Sequence, residues 1–375
     1  MDEKAEATSS GASSEAARFY LPGLDGLRAV AFLMILGHHL GQAMVPAGVS
    51  DWWLSLIAAA GYGVPLFFAL SAFLITALLL NEKAQRGRVD VWGFYLRRTL
   101  RIWPLYFLVL GVGALVTPYV SSIPLTRAEL VGFATFTVNF LKSNLVVVPR
   151  TISPLWSVSI EEQFYACWPW VIRFTNRRAL AAVALSMIVI GWLFRMSLVG
   201  APDNMNRIWY HSLTHLDCFA FGCLAALFLR GRELGSAWMK GGMMLAAFGG
   251  IFLLERLFQF KAPDGGHDDV AGVTSYVFIA ALCALIVWLA STMKQGLLTG
   301  RAMVGIGAIS YGLYGFHRLV LTILEHELPG SANWPWRAGL TILVTFTLAV
   351  LSFRFYEKPL LRLRRRFQAI SSGRF

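Results

Sequence analysis

Charged side chains are scarce in this sequence. Asp, Glu, Lys and Arg make up only 14% of the 375 residues, whereas hydrophobic residues make up 57% and the mean hydropathy is +0.59. A soluble domain of this size does not need so much apolar surface to fill one core. The composition therefore excludes an ordinary soluble protein and predicts a protein that folds in lipid.

Cysteine is also rare, and the four cysteines form neither a CxxC pair nor a secreted disulfide framework. Structural zinc sites and disulfide scaffolds both need such regular spacing. We therefore predict no metal centre and interpret the cysteines as small hydrophobic residues within apolar stretches. They are Cys167, Cys218, Cys223 and Cys283.

No basic soluble domain is evident, although the net charge is +12. The positive residues occur in short loops between apolar runs, which is typical of the cytoplasmic loops of membrane proteins. A nucleic-acid-binding protein collects such charge on one domain or face. We therefore expect the lipid bilayer, and no nucleic acid, as a partner.

Ten segments have the ~20 mostly apolar residues that a membrane-spanning helix needs. They predict an all-α, polytopic membrane bundle of about ten transmembrane helices with both termini cytoplasmic. With this orientation, 24 of the 33 Lys and Arg residues lie on the cytoplasmic side, as the positive-inside rule requires. The predicted spans are 24–44, 57–80, 102–120, 155–173, 179–199, 213–229, 241–257, 272–292, 304–325 and 338–356.

The remaining segments set the predicted domain boundaries. Residues 1–17 are mostly Ala, Ser and Glu and predict a disordered tail. Residues 18–361 form the expected membrane domain, and 362–375 form a basic cytoplasmic tail that we interpret as a lipid-headgroup anchor. Segment 127–141 is interpreted as a re-entrant or interfacial piece, because counting it as a span would place the positive loop at 173–178 on the outer side of the membrane.

Arg28 and His39 are eleven residues apart in the first predicted span. Eleven residues make three helical turns plus roughly 20°, so the two side chains share one face about 16 Å apart. Ionisable groups inside a bilayer are costly and usually functional. The alternative is that Arg28 extends to the interface and His39 bonds only a neighbouring helix.

The fourth predicted span brings carboxylate and amide groups to the level of His39. Glu161, Glu162 and Gln163 fall roughly 9 Å below the outer surface if this span runs inwards. A histidine paired with a carboxylate makes a general base that can deprotonate a hydroxyl. The pattern therefore indicates such a base in this layer.

Two further spans contribute polar side chains to the same layer. Tyr314 and His317 lie on the ninth span, and Asp217 begins the sixth span from the outer side. Together with Gln163, we take these as candidate substrate-binding residues. A solvated helix end for Asp217 and a structural hydrogen bond for His317 are the alternatives.

Three arginines precede the third predicted span: Arg97, Arg98 and Arg101. Arg98 and Arg101 share one helical face because they are three residues apart. Guanidinium groups suit phosphates, and coenzyme A carries several. This inner cluster would match a long cofactor threaded into the bundle, and the alternative is ordinary anchoring at the cytoplasmic surface.

Several motifs in this order resemble acyltransferase family 3, the integral-membrane O-acyltransferases that modify bacterial surface glycans and some small molecules. The resemblance covers nearly the whole chain. Arg28 and His39 match the Arg-x10-His motif of that family, and Arg98 and Arg101 match its RxxR motif. In this chain Ala72 replaces a usual glycine, and GFHR replaces a usual Leu-Trp-His-Trp in the ninth span. The other matching segments are GVPLFFALSAFLI at 63–75, WSVSIEEQFY at 156–165, HLDCFAFG at 215–222, ISYGLYGFH at 309–317 and YEKPL at 356–360.

The resemblance implies that a short acyl group, commonly acetyl, moves from a cytoplasmic acyl-CoA such as acetyl-CoA to a hydroxyl of a glycan or glycolipid. It implies His39 as the essential base, which we pair with Glu161, and Arg28, Arg98 and Arg101 as donor-binding residues. It also implies the bacterial cytoplasmic (inner) membrane and separate glycan-assembly proteins as partners. The acceptor, acetyl versus succinyl, and direct transfer versus an acyl-enzyme intermediate all stay open.

Three other functions compete with this one. A proton-coupled transporter also buries His, Glu and Arg, but the sequence has no two-fold hydropathy repeat and no paired broken helices. An acyl-group shuttle that feeds a separate transferase and a glycan-binding scaffold are the other two. Release of free CoA from acetyl-CoA in the presence of acceptor distinguishes the enzyme from a transporter or a scaffold.

Overall fold

The computed structural model describes residues 20–44, 49–201, 204–258 and 270–364, and within these ranges it is helical with no strand. The all-α prediction is therefore confirmed. The predicted tail 1–17 and the part of the predicted basic tail from 365 onwards lie outside the described residues. The α-helices are α1 (Pro22–Met44), α2 (Asp51–Ala60), α3 (Gly63–Arg86), α4 (Val91–Val120), α5 (Arg127–Ala134), α6 (Val138–Ser143), α7 (Leu155–Phe174), α8 (Arg177–Met196), α9 (Asn204–Tyr210), α10 (Leu216–Leu224), α11 (Ala237–Phe258), α12 (Val270–Ser291), α13 (Arg301–Ala308), α14 (Ser310–Glu327), α15 (Trp334–Ser352) and α16 (Lys358–Arg364).

Seven helical runs in the described ranges are long and apolar enough to cross a membrane. They fit a polytopic membrane protein, as predicted. The predicted spans 24–44, 155–173 and 304–325 are not among the seven, because α1, α7 and α14 carry many polar side chains and α13 is separated from α14 by a break at Ile309. The total of ten spans and the cytoplasmic termini stay predictions.

Segment 127–141 folds mainly as two short helices, α5 with 8 residues and α6 with 6 residues. A capping box starts α5: the Thr126 hydroxyl accepts from the Glu129 amide, and the Glu129 carboxylate accepts from the Thr126 amide at 2.6 Å. At ~1.5 Å per residue, neither helix could cross the ~30 Å of a bilayer core. Both pack against α7, which agrees with a piece that does not span.

Helix α1 packs against α3, α12, α13 and α14. Two glycines permit its close approach to the segment that precedes α14. A Cβ on Gly26 would lie 1.9 Å from the carbonyl oxygen of Leu298, and one on Gly307 would lie 1.8 Å from that of Asp25. Only glycine fits at such distances, and the packing fixes the rotation of α1 and hence the directions of Arg28 and His39.

Candidate active site

One cavity in the bundle, which we name the arginine cavity, has a volume of about 100 Å³. Helices α1, α3, α4, α7 and α14 all contribute to its wall. The predicted donor-binding residues Arg28, Arg98 and Arg101 come together here, although they lie on two helices far apart in sequence. The polar lining consists of Arg28, Ser71, Arg98, Arg101, Ser157, Glu161, Tyr165, Ser310, Tyr311 and Tyr314.

The start of α4 separates its three arginines into two roles. Asp90 caps the helix by accepting from the Gly93 amide at 3.0 Å. Arg97 turns away from the cavity and pairs with Glu82 at 3.3 Å. Arg98 and Arg101 line the cavity, as their shared helical face predicts.

Glu161 lines the arginine cavity and not the space around His39. Its carboxylate accepts hydrogen bonds from the Ser71 hydroxyl at 2.8 Å and the Tyr165 hydroxyl at 3.2 Å. The Tyr165 ring also lies 5.3 Å from the guanidinium carbon of Arg98, close enough for a cation–π contact. Sequence reasoning did not single out Ser71 or Tyr165, although both lie inside the matched motifs.

A second cavity, which we name the histidine cavity, has a volume of about 400 Å³. His39 lines it, and so does His38, whose Nδ1 lies 2.6 Å from the carbonyl oxygen of Ile57. The two neighbouring histidines therefore share one cavity, although they point in different directions from α1. The lining also includes Gln42, Arg150, Ser153, Pro154, Trp156, Asn206, Trp209, Tyr210, Tyr276, Tyr314 and Arg318.

Two histidine rings lie beside the ring of His39. The centroid of the His38 ring is 5.1 Å away, and that of His317, on α14, is 5.2 Å away. His317 is fully buried, and its Nδ1 lies 2.6 Å from the carbonyl oxygen of Tyr314. A carbonyl only accepts, so Nδ1 carries the proton and Nε2 is left as an acceptor. Within the described ranges, Nε2 of His317 has no hydrogen-bond partner.

The two cavities lie end to end along the bundle. Residues near the start of α1 line the arginine cavity and residues near its end line the histidine cavity, whereas α7 passes them in the opposite order. Val64 and Tyr314 line both. The Tyr314 hydroxyl is 2.6 Å from the Ser157 hydroxyl and donates to the Pro154 carbonyl at 2.8 Å. Tyr314 therefore stands at the junction between the cavities.

Two predicted substrate-binding residues, Gln163 and Asp217, line neither cavity. The Gln163 amide donates to Asn139 Oδ1 at 2.9 Å and to the Phe136 carbonyl at 2.7 Å, which ties α7 to α6 and to the turn before it. Asp217 forms a fully buried ion pair with Arg195. These contacts join helices, and a substrate-binding role for either residue stays a prediction. In the described residues, no group of three or more His, Cys, Asp or Glu side chains is arranged to hold a metal ion.

Comparison with known proteins decides the family. Residues 21–354 match the acyltransferase domain family, which covers most of the chain and includes every residue of both cavities. The chain belongs to this family. The match confirms the resemblance to acyltransferase family 3 that the sequence motifs indicated.

The curated relatives of this acyltransferase-family chain include peptidoglycan O-acetyltransferase OatA of Listeria monocytogenes, 24% identical over 92% of this chain and 56% of the relative. They also include O-acetyltransferase OatA of Staphylococcus aureus, 27% identical over 91% of this chain and 57% of the relative. The chain thus spans little more than half the length of these relatives. No solved structure matches it.

Proposed function

We propose that this protein is a membrane O-acyltransferase that moves a short acyl group, acetyl in the simplest case, from acyl-CoA to a hydroxyl of a glycan. The observation that carries this proposal is the end-to-end arrangement of the two cavities. One collects three arginines, the other contains His39, and both are lined by Val64 and Tyr314. The family and the printed names of the relatives support the reaction class.

The donor is assigned to the arginine cavity. Arg28, Arg98 and Arg101 line this cavity together, and three guanidinium groups on one wall suit the phosphates of coenzyme A. Arg28 also pairs with Asp25 at 2.7 Å, which fixes the direction of its side chain. The acyl end of the donor would then point along the bundle towards Tyr314 and His39.

His39 is assigned as the general base. It would take the proton of the acceptor hydroxyl while the oxygen attacks the thioester carbonyl carbon. The carbon–sulfur bond then breaks, and the departing thiolate of CoA takes the proton back from His39. We propose that His317 orients His39, because its ring lies 5.2 Å away on another helix and its Nε2 is an acceptor.

Glu161 stays in the proposed catalytic set, but on the donor side. Arg28 and Arg98 are near enough to act electrostatically on its carboxylate, and Ser71 and Tyr165 bond it directly. In this position, Glu161 would orient the arginines around the donor. Glu161 and His39 line different cavities, so the proposal does not pair them directly.

The decisive experiment uses the full chain, purified in lipid nanodiscs, with acetyl-CoA or succinyl-CoA as donor. Free CoA is measured with a thiol reagent, and added glycans are analysed by mass spectrometry for a gain of one acyl group. We expect CoA release that depends on both acceptor and His39. If no donor yields CoA while a proton gradient drives uptake of a solute, the protein is a transporter.

The proposed location is the bacterial cytoplasmic membrane, with the arginine cavity facing the cytoplasm, where acyl-CoA is made. The positive-inside distribution of Lys and Arg supports this orientation. Glycan-assembly proteins are the proposed partners on the opposite side. Mass spectrometry of surface glycans from cells with and without the protein would identify the natural acceptor.

A further inference from the structure

Two arginines line the histidine cavity on the far side from the arginine cavity. Arg318 is only 8% exposed, and Arg150 has a largely exposed side chain. Each has one guanidinium nitrogen 3.9 Å from a carboxylate oxygen of Glu325, which is too long for a hydrogen bond. Within the described residues, Nη1 of Arg318 is buried and has no hydrogen-bond partner.

A buried guanidinium with open donor positions is costly unless something else binds it. Glu325 faces both arginines, so one negative charge meets two positive charges. Lys142 lies just behind the same wall, where it donates to the Ser153 hydroxyl at 2.8 Å, with Glu129 as its nearby carboxylate. The local balance is therefore positive, and the cavity has room for a further anionic group.

The rest of the wall suits a carbohydrate. Trp156, Trp209 and Tyr210 offer aromatic surfaces for the apolar faces of sugar rings, and Gln42 and Asn206 offer amides for hydroxyl groups. Arg318 lines the same cavity as His39. A carboxylate held by its guanidinium would therefore place the attached sugar in the cavity that His39 lines.

We propose that the histidine cavity selects a glycan acceptor that carries a carboxylate, with Arg318 as the principal contact and Arg150 as a second contact at the entrance. A planar guanidinium binds a carboxylate through two parallel hydrogen bonds, which fits Arg318 better than a lysine. This inference rests on the proposed acyl transfer and adds the class of acceptor.

The test compares three acceptors with acetyl-CoA as donor: a tetrasaccharide of alternating N-acetylglucosamine and N-acetylmuramic acid, its methyl ester, and the neutral tetramer of N-acetylglucosamine. The first two differ only at the carboxyl groups, which are negatively charged in the acid and neutral, with an added methyl group, in the ester. For the unmodified protein, we expect the KM for the acid to be about tenfold to a hundredfold lower than the KM for the ester, because one charge-assisted contact changes affinity by about that factor.

Arg318→Gln should remove this preference by raising the KM for the acid while leaving the KM for the ester within about twofold. Arg318→Lys keeps the positive charge but lacks the planar guanidinium. Its KM for the acid should lie between those of the unmodified protein and Arg318→Gln. Glu325→Gln is the matched control, because it removes the competing carboxylate and should preserve or increase the preference for the acid.

Equal KM values for the acid and the ester in the unmodified protein would overturn the inference, as would an equal loss for both acceptors in Arg318→Gln. If that variant does not fold, Arg150→Gln on the exposed side chain should still reduce the ratio, and an unchanged ratio would reject the proposal. Absence of transfer to all three acceptors, with no release of CoA, would instead count against the proposed function itself.

Discussion

Replacement of His317 tests whether this side chain orients His39. The His317 imidazole is fully buried, lies 5.2 Å from the His39 ring between centroids and bonds the Tyr314 carbonyl through Nδ1. In His317→Asn, the amide nitrogen can occupy the position of Nδ1 and keep that bond, but nothing replaces Nε2. In His317→Gln, the amide reaches the position of Nε2 instead.

The expected loss follows from these roles. Removal of a general base costs ~10²–10⁴ in rate, and loss of a group that only orients the base should cost less, about tenfold to a hundredfold in kcat. We expect this loss in His317→Asn and partial recovery in His317→Gln, whose amide oxygen can again accept. The KM for acyl-CoA should not change in either variant, because the arginine cavity is untouched.

The assay is steady-state release of CoA by purified variants, with thermal unfolding measured in parallel. His39→Ala combined with His317→Asn should be no slower than His39→Ala alone, since residues that act as one unit are not additive. His38→Ala is the control on the same helix and should have a milder effect. Normal kcat in a folded His317→Asn variant would refute the orienting role, and an essential His38 would refute the choice of His39.

Three further predictions concern other parts of the molecule. Arg98→Gln or Arg101→Gln should raise the KM for acyl-CoA about tenfold to a hundredfold, because each removes one charge-assisted contact. Arg97→Gln breaks the pair with Glu82 and should lower thermal stability more than donor affinity. If all three variants change the KM equally, the three arginines anchor the protein at the membrane surface and do not bind the donor. Arg195→Met should destabilise the fold by ~3–5 kcal/mol because it leaves Asp217 buried without its partner, and Asp217→Leu on that background should recover most of the loss in a denaturation experiment. Single cysteines introduced at Arg86 or Arg88 should react with impermeant reagents only from the cytoplasmic side. Cysteines introduced in the predicted outer loop 117–153 should react only from the other side. The reverse pattern would overturn the predicted orientation.

Composition and periodicity predicted the fold class and part of the arrangement of the candidate site. The shortage of charge predicts a helical membrane protein because only helices or closed barrels satisfy the backbone in lipid. The constant rise of a helix places Arg28 and His39 at different depths on one face, and the structure has them in successive cavities of the bundle. The three-residue spacing likewise predicts that Arg98 and Arg101 point together.

The partners of each side chain were decided only by tertiary packing. Sequence reasoning paired His39 with Glu161 from their similar depths, yet Glu161 contacts Ser71 and Tyr165, and His39 lies beside His317. Depth along a helix follows from residue number, but the direction of a side chain depends on how each helix is rotated against its neighbours.

That rotation is set by contacts between residues far apart in the chain. The approach of Gly26 to Leu298 and of Gly307 to Asp25 orients α1 against α13 and the segment before it. In the same way, the burial of Asp217 depends on Arg195 in another helix. A single sequence records the spacing of residues within each helix, whereas these distant contacts arise only when the helices pack.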